Sequence, residues 1–174
     1  MHKKVAFIGS VGSGKTTIIN ELSSIETVNT DVESSVDIGK DLTTVGIDYG
    51  HITLGEGMSI GLYGVPGQRR FSFVWDHVNE GLWAIVLLLK HDDESSLEEM
   101  ENLIDHFNID NTTACIIGLT HSEGQENSPF TDTVKALLTK KGLTLPVFHI
   151  DARSKGNALM MMHTLIAMKE MNES

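Results

Sequence analysis

Short apolar runs alternate with helix-spaced patterns along the chain. KVAFIG, IDYGHITL, MSIGLYG, LWAIVLLLK, TACIIGL and PVFHI read as strands, and four of them are apolar at nearly every position, the mark of strands buried on both faces. Apolar residues recur at helical spacing over about residues 15–25, 69–80, 94–107, 130–141 and 155–171. Gly55-Glu56-Gly57 separates the second and third runs and predicts an antiparallel hairpin. Strands alternating with helices predict an α/β fold: a six-stranded, mostly parallel sheet with one antiparallel edge strand and helices on both faces. No repeat, linker or low-complexity segment divides residues 1–174, which read as one domain. A polar stretch from about Glu26 to Lys40 carries no strand pattern, and a segment of that length without secondary structure in a compact domain tends to be functional.

Composition narrows the functional classes. With 174 residues and 40% hydrophobic content the chain can bury a real core. A net charge of −11 argues against nonspecific nucleic-acid binding, which needs a basic footprint. Cys115, the one cysteine, lies within TACIIGL and reads as a buried core thiol. His91, His106, His149 and His163 lack the paired spacing of a zinc site. No apolar run approaches the roughly 20 residues that span a bilayer. The ends, MHKK and MNES, carry no lipidation signal, so the expectation is a soluble cytoplasmic protein without a stable membrane anchor.

Between the first strand and the first helix stands GSVGSGKT, which satisfies G-x-x-x-x-G-K-[ST]. Glycines here let backbone N–H groups turn inward around phosphate oxygens, and the helix that follows adds the positive end of its dipole. Lys15 is placed to reach the β- and γ-phosphates, and the Thr16 hydroxyl to ligate Mg²⁺. Gly9, Val11, Gly12, Ser13, Gly14, Lys15, Thr16 and Thr17 are therefore the candidate phosphate-binding set of a P-loop NTPase.

Two further segments, TTVGIDYG (43–50) and LYGVPGQRRF (62–71), complete a pattern. The chain resembles the Ras-like small GTPases across essentially its whole length, and most resembles the prokaryotic branch that includes the MglA-type GTPases, where P-G-Q similarly follows the third strand. The resemblance implies a small G domain that binds GTP and GDP with Mg²⁺. It also implies that Thr44 is the first-switch threonine, closing on the γ-phosphate and the metal. Gly67 and Gln68 match the second switch: Gly67 N–H bonds the γ-phosphate, and Gln68 orients the attacking water. Lys15, Thr44 and Gln68 are the expected catalytic residues, with Thr16 and Thr44 as metal ligands. A roadblock-type regulator is the partner the resemblance implies.

The departures matter as well. The position where these GTPases carry the Asp of D-x-x-G is Gly64, which predicts a lost contact to a metal-bound water. Val11 stands where Ras proteins have glycine, and its branched side chain is expected to crowd Gln68 and slow hydrolysis. For the base, GLTHSE (118–123) aligns with N-K-x-D: Thr120 replaces Asn, His121 replaces Lys with a ring able to stack on a purine, and Glu123 replaces Asp. HIDARSK aligns with S-A-K, so Ala152 N–H is expected to donate to the guanine carbonyl and Arg153 to flank the base. Phe71, Phe73 and Trp75 read equally as a partner surface and as packing beneath the sheet. Two other readings stay open: a nucleotide-binding interaction module with negligible hydrolysis, and a small-molecule kinase, for which the chain has few arginines.

Overall fold

Each of the six apolar runs forms a strand, and a seventh joins them in one sheet. The computed structural model describes residues 2–24, 28–33, 44–53 and 57–174. In chain order the elements are β1 (His2–Gly9), α1 (Lys15–Leu22), β2 (Val28–Glu33), β3 (Thr44–Thr53), β4 (Ser59–Pro66), a 3₁₀ turn (Arg69–Phe71), α2 (Ser72–Asn79), β5 (Leu82–Lys90), α3 (Glu94–His106), β6 (Cys115–Thr120), α4 (Pro129–Lys140), β7 (Val147–Ile150) and α5 (Lys155–Glu173). The strand order is β2-β3-β4-β1-β5-β6-β7. This is the expected α/β architecture, mostly parallel and covered by helices on both faces.

The stretch from Glu26 to Lys40, read as strandless, holds β2. That strand pairs antiparallel with β3, from Val28 opposite Tyr49 to Glu33 opposite Thr44. The sequence VNTDVE hides it because it carries no apolar run, and backbone hydrogen bonds can hold an outer strand without one. The antiparallel strand, β3, therefore sits one place in from the edge, between β2 and β4. Residues 34–43, with much of the first-switch stretch, lie outside the described residues, as do Gly55 and Glu56 of the hairpin turn.

Two apolar layers clamp the sheet. On one face Trp75 of α2, Met100 and Leu103 of α3, and Val134 and Leu138 of α4 pack on Ala6, Ile8, Leu87 and Ile117. On the other, Ile18 and Ile19 of α1 and Ala158, Met161, Met162 and Leu165 of α5 pack on Val5, Phe7, Val86 and Ile116. Burying one such Leu, Ile or Met side chain contributes about 1.5–3 kcal/mol. Cys115 lies in the first layer, and burial pushes its thiol pKa well up. Trp75 settles on the packing side of its open reading: it is 1% exposed and its Nε1–H donates to Pro66 O at 2.8 Å, tying α2 to the end of β4.

The parallel register decides where the site sits. Gly9, the last residue of β1, is level with Pro66 at the end of β4 and with Leu88 near the end of β5. Thr120 closes β6 beside Lys90 and Ile150. The loops after these strands leave one edge of the sheet together, the place where open α/β sheets bind ligands.

Candidate functional site

Three helices carry side-chain caps at their N-termini: Asp93 accepts from Ser95 N on α3, Ser128 from Thr131 N on α4, and Ser154 from Asn157 N on α5. α1 does not. Its N-cap is Gly14, in the left-handed region at φ 100°, with no side-chain bond to the amides that follow. A helix start whose first N–H groups meet no cap is ready for an anion. Crowding enforces the glycines around it. A Cβ on Gly14 would stand 2.8 Å from the Ala152 Cβ, and one on Gly9 would stand 2.5 Å from Leu88 O and 2.6 Å from Ser13 Oγ. The Ser10 and Ser13 hydroxyls are buried in this loop and have no partner among the described residues.

Lys15 bends back over the loop, its ammonium donating to Gly9 O at 2.6 Å and Ser10 O at 2.8 Å. Burial lowers its pKa to about 8, partly opposed by the charges of Asp48 and Glu99. Gly67 approaches the same carbonyl from the second-switch side, its N–H donating to Gly9 O at 3.0 Å. Next to it, Gln68 turns its Oε1 into the protein, where that atom is buried and unpartnered among the described residues. Val11 stands at the lip of the loop, 83% exposed.

Thr16 donates its hydroxyl to Asp48 Oδ2. Asp48 lies on β3 directly opposite Gly64 of β4, and a Cβ on Gly64 would stand 3.2 Å from the Asp48 Cβ and 3.0 Å from Ile19 Cδ1. Position 64 has no carboxylate, as expected, but one stands opposite it on the neighbouring strand, in contact with Thr16. The sequence carried the signal: Asp48 is the D of TTVGIDYG, and strand alternation puts it on the same face as Gly50, which α1 crowds through Ile19. A hydroxyl and a carboxylate at the P-loop are hard oxygen donors, which fit Mg²⁺ held jointly by one or two protein ligands and substrate phosphates. No group of His, Cys, Asp and Glu able to hold a metal by itself occurs among the described residues. Thr44 begins β3 opposite Glu33; its side chain lies outside what is described.

Beyond the P-loop opens a cleft of about 600 Å³, lined by Gly12, Gly14 to Thr17, Thr120 to Gly124, Glu126, His149 to Arg153 and Asn157. The expected phosphate set, apart from its inner and lip residues, and the expected base readers Thr120, His121, Glu123, Ala152 and Arg153 therefore share one wall system. Thr120 is buried, with its hydroxyl donating to Leu89 O at 3.4 Å. His121, at φ 57°, bonds Gly12 O through Nε2 at 2.9 Å. A carbonyl only accepts, so Nε2 carries the proton, and the ring straps the P-loop to the far side of the cleft. Stacking alone had been expected of it.

Arg153 holds the outer wall. It reaches Asp151 at 3.0 Å through Nε and at 3.1 Å through NH2, and Glu123 at 3.2 Å. These hydrogen bonds hold the Asp151 carboxyl below its usual range and raise the Arg153 guanidinium. Asn157, which sequence reasoning passed over, accepts from Asp151 N at 3.0 Å and fixes the turn that presents Ala152. No motif flags it; its role appears only when α5 is seen to start beneath that turn.

No protein-family model matches the chain. Among solved structures it is similar to the G domain of the T. maritima FeoB iron transporter, at a TM-score of 0.66 and 17% identity, covering 97% of this chain and 99% of that one. It is also similar to the Arl6 BBS3 small GTPase of Trypanosoma brucei, solved with the nucleotide analogue GppNp, at a TM-score of 0.70 and 13% identity over 99% of both chains. At these identities the likeness is one of fold.

Proposed function

We propose that this protein is a guanine-nucleotide switch that binds GTP and GDP with Mg²⁺ and hydrolyses GTP slowly. The observation that carries the reading is the uncapped start of α1, with Thr16 and Asp48 facing one another beside it and the 600 Å³ cleft beyond. Phosphates would take the α1 amides and the Lys15 ammonium, and the base would enter the cleft toward Ala152 and Glu123. Thr16, Asp48 and Thr44 would hold Mg²⁺, which when bound screens the charge of the β- and γ-phosphates.

Two donors now spent on Gly9 O, the Gly67 N–H and the Lys15 ammonium, suit the third phosphate. Transfer of these bonds from the carbonyl to the phosphate would couple the second switch to nucleotide state. Gln68 would then have to bring its buried Oε1 outward to orient water. That cost supports weak intrinsic hydrolysis and control by a partner. By resemblance the partner is a roadblock-type regulator and the nearest relatives the MglA-type branch, in the cytoplasm; no described helix is long and apolar enough to cross a membrane.

A second reading, an interaction module with negligible hydrolysis, draws support from the same burial of Gln68. Binding of fluorescent GDP and ADP, with and without Mg²⁺, tests the first step: GDP is expected to bind tightly and ADP weakly. Equal affinity would remove the roles given to Ala152 and Glu123. Phosphate release from GTP by the wild type and by Gln68→Ala separates the two readings, since identical rates would leave only the module.

A further inference from the structure

The acids of α3 do not all face water. Glu94, Glu98 and Asp105 are exposed, whereas Glu99 is partly buried and turns toward the junction of the second switch and the P-loop. Its Oε2 lies 3.2 Å from the point where a Cβ would stand on Gly67. Gly67 N–H in turn bonds Gly9 O at 3.0 Å, and Lys15 bonds the same oxygen at 2.6 Å. One carbonyl therefore gathers the two donors suited to a third phosphate, and a carboxylate stands just behind one of them.

No described residue neutralises that carboxylate by contact. Among the described residues its ion-pair partners would have to be Lys, Arg or His, and the pairs present involve other acids. The charged groups that act on Glu99 are Lys15 from α1, Asp93 from the turn before α3, and Glu98 from its own helix. Burial is the largest influence and raises its pKa, Asp93 adds to the rise, and Lys15 opposes it. A partly desolvated anion beside the terminal-phosphate position repels more charge arriving there, and low local dielectric strengthens the repulsion.

We propose that Glu99 is a specificity-determining residue whose carboxylate opposes the third phosphate and so sets the balance between nucleoside diphosphate and triphosphate. The inference rests on the nucleotide-switch reading and adds to it a charge that favours the diphosphate. When a triphosphate binds and the Gly67 N–H turns to it, the Glu99 carboxylate is pushed away from the new charge, so the arriving phosphate is felt through α3 as well as through the Gly67 amide.

Dissociation constants for GDP and for GppNp, both with Mg²⁺, test this in the wild type, Glu99→Asp, Glu99→Gln and Glu99→Lys. GDP affinity is expected to stay within about two-fold for Asp and Gln. GppNp binding is expected to tighten by roughly five- to thirty-fold in Glu99→Gln and further in Glu99→Lys, with Glu99→Asp near the wild type. A purely structural role would follow side-chain shape, so Gln would resemble Glu. Should the Gln variant not fold, Glu99→Met makes the same neutral comparison. A GppNp-to-GDP ratio that ignores the charge at position 99 overturns the inference while leaving the switch reading intact. Failure of the wild type to bind either nucleotide overturns the switch reading, and this inference with it.

Discussion

Asp48 stands across the β3–β4 ladder from Gly64 and receives the Thr16 hydroxyl. The lack of a side chain at 64 makes room for Asp48: any Cβ there would press on Asp48 at 3.2 Å and on Ile19 at 3.0 Å. The two positions form one device. Gly64→Asp alone is expected to destabilise the fold by roughly 1–3 kcal/mol through overpacking and like charge, read as a fall in denaturation midpoint. Asp48→Ala is expected to leave folding nearly intact but weaken the Mg²⁺ dependence of GDP binding about ten-fold or more. Combining Asp48→Gly with Gly64→Asp is expected to recover much of both. Additive losses in the double variant would show that the two positions do not exchange roles.

Lys15 gives the nucleotide-free protein a pH signature. Its pKa falls from 10.5 in an unfolded chain to about 8 in the fold, because burial disfavours the charged form. Between these values the unfolded chain binds more protons than the native one, so stability contributed at this site rises as pH goes up. Below about 8 the buried ammonium carries its full cost. Chelator-treated apoprotein is therefore expected to gain stability from pH 8 toward 10.5, by an amount on the order of 2 kcal/mol, relative to Lys15→Met. Urea midpoints of the two proteins across that range check it. Parallel curves would mean that Lys15 does not titrate there.

What the sequence disclosed and what it hid differ by mechanism. The six apolar strands were legible because burial writes itself into residue type; β2 was not, because VNTDVE carries no apolar run and only its antiparallel pairing with β3 reveals it. The P-loop was legible because close backbone approach to phosphates requires glycine at fixed spacing. Asp48 was visible within TTVGIDYG, but only the β3–β4 register shows that it faces position 64. Glu99 could not be told from the other acids of α3 by spacing, since its inward turn depends on where Gly67 lies.

His121 joins the two halves of the cleft. Its Nε2–H bond to Gly12 O, made at a left-handed φ of 57°, ties the loop after β6 to the P-loop. His121→Ala is expected to cost about 1 kcal/mol of stability from the lost hydrogen bond, and to speed GDP release several-fold by loosening both loops together. His121→Lys offers a longer donor for the same carbonyl and is expected to restore slow release. Stopped-flow displacement of fluorescent GDP measures both. Release from the alanine variant at the wild-type rate would show that the strap does not hold the nucleotide.

Gly67 touches the P-loop at Gly9. A Cβ added there would lie 3.1 Å from both Cα and C of Gly9 and 3.2 Å from Glu99 Oε2. Two of these neighbours are backbone and cannot swing aside, so Gly67→Ala is expected to push the two loops apart by a few tenths of an ångström and to weaken the bond from Gly67 N to Gly9 O. The native fold survives, since the contact lies at the sheet's edge, with a loss of about 1 kcal/mol. Nucleotide response changes more. With the amide displaced, GDP affinity is expected to remain within a few-fold, because on the proposed reading the diphosphate would be held by the P-loop and α1. The response of the second switch to GppNp is expected to vanish. Intrinsic fluorescence from Trp75, anchored to Pro66 just ahead of Gly67, reports it directly: the wild type is expected to shift between GDP and GppNp, and the alanine variant to give one spectrum with both. A full shift in the variant would mean that the third phosphate is sensed without this amide.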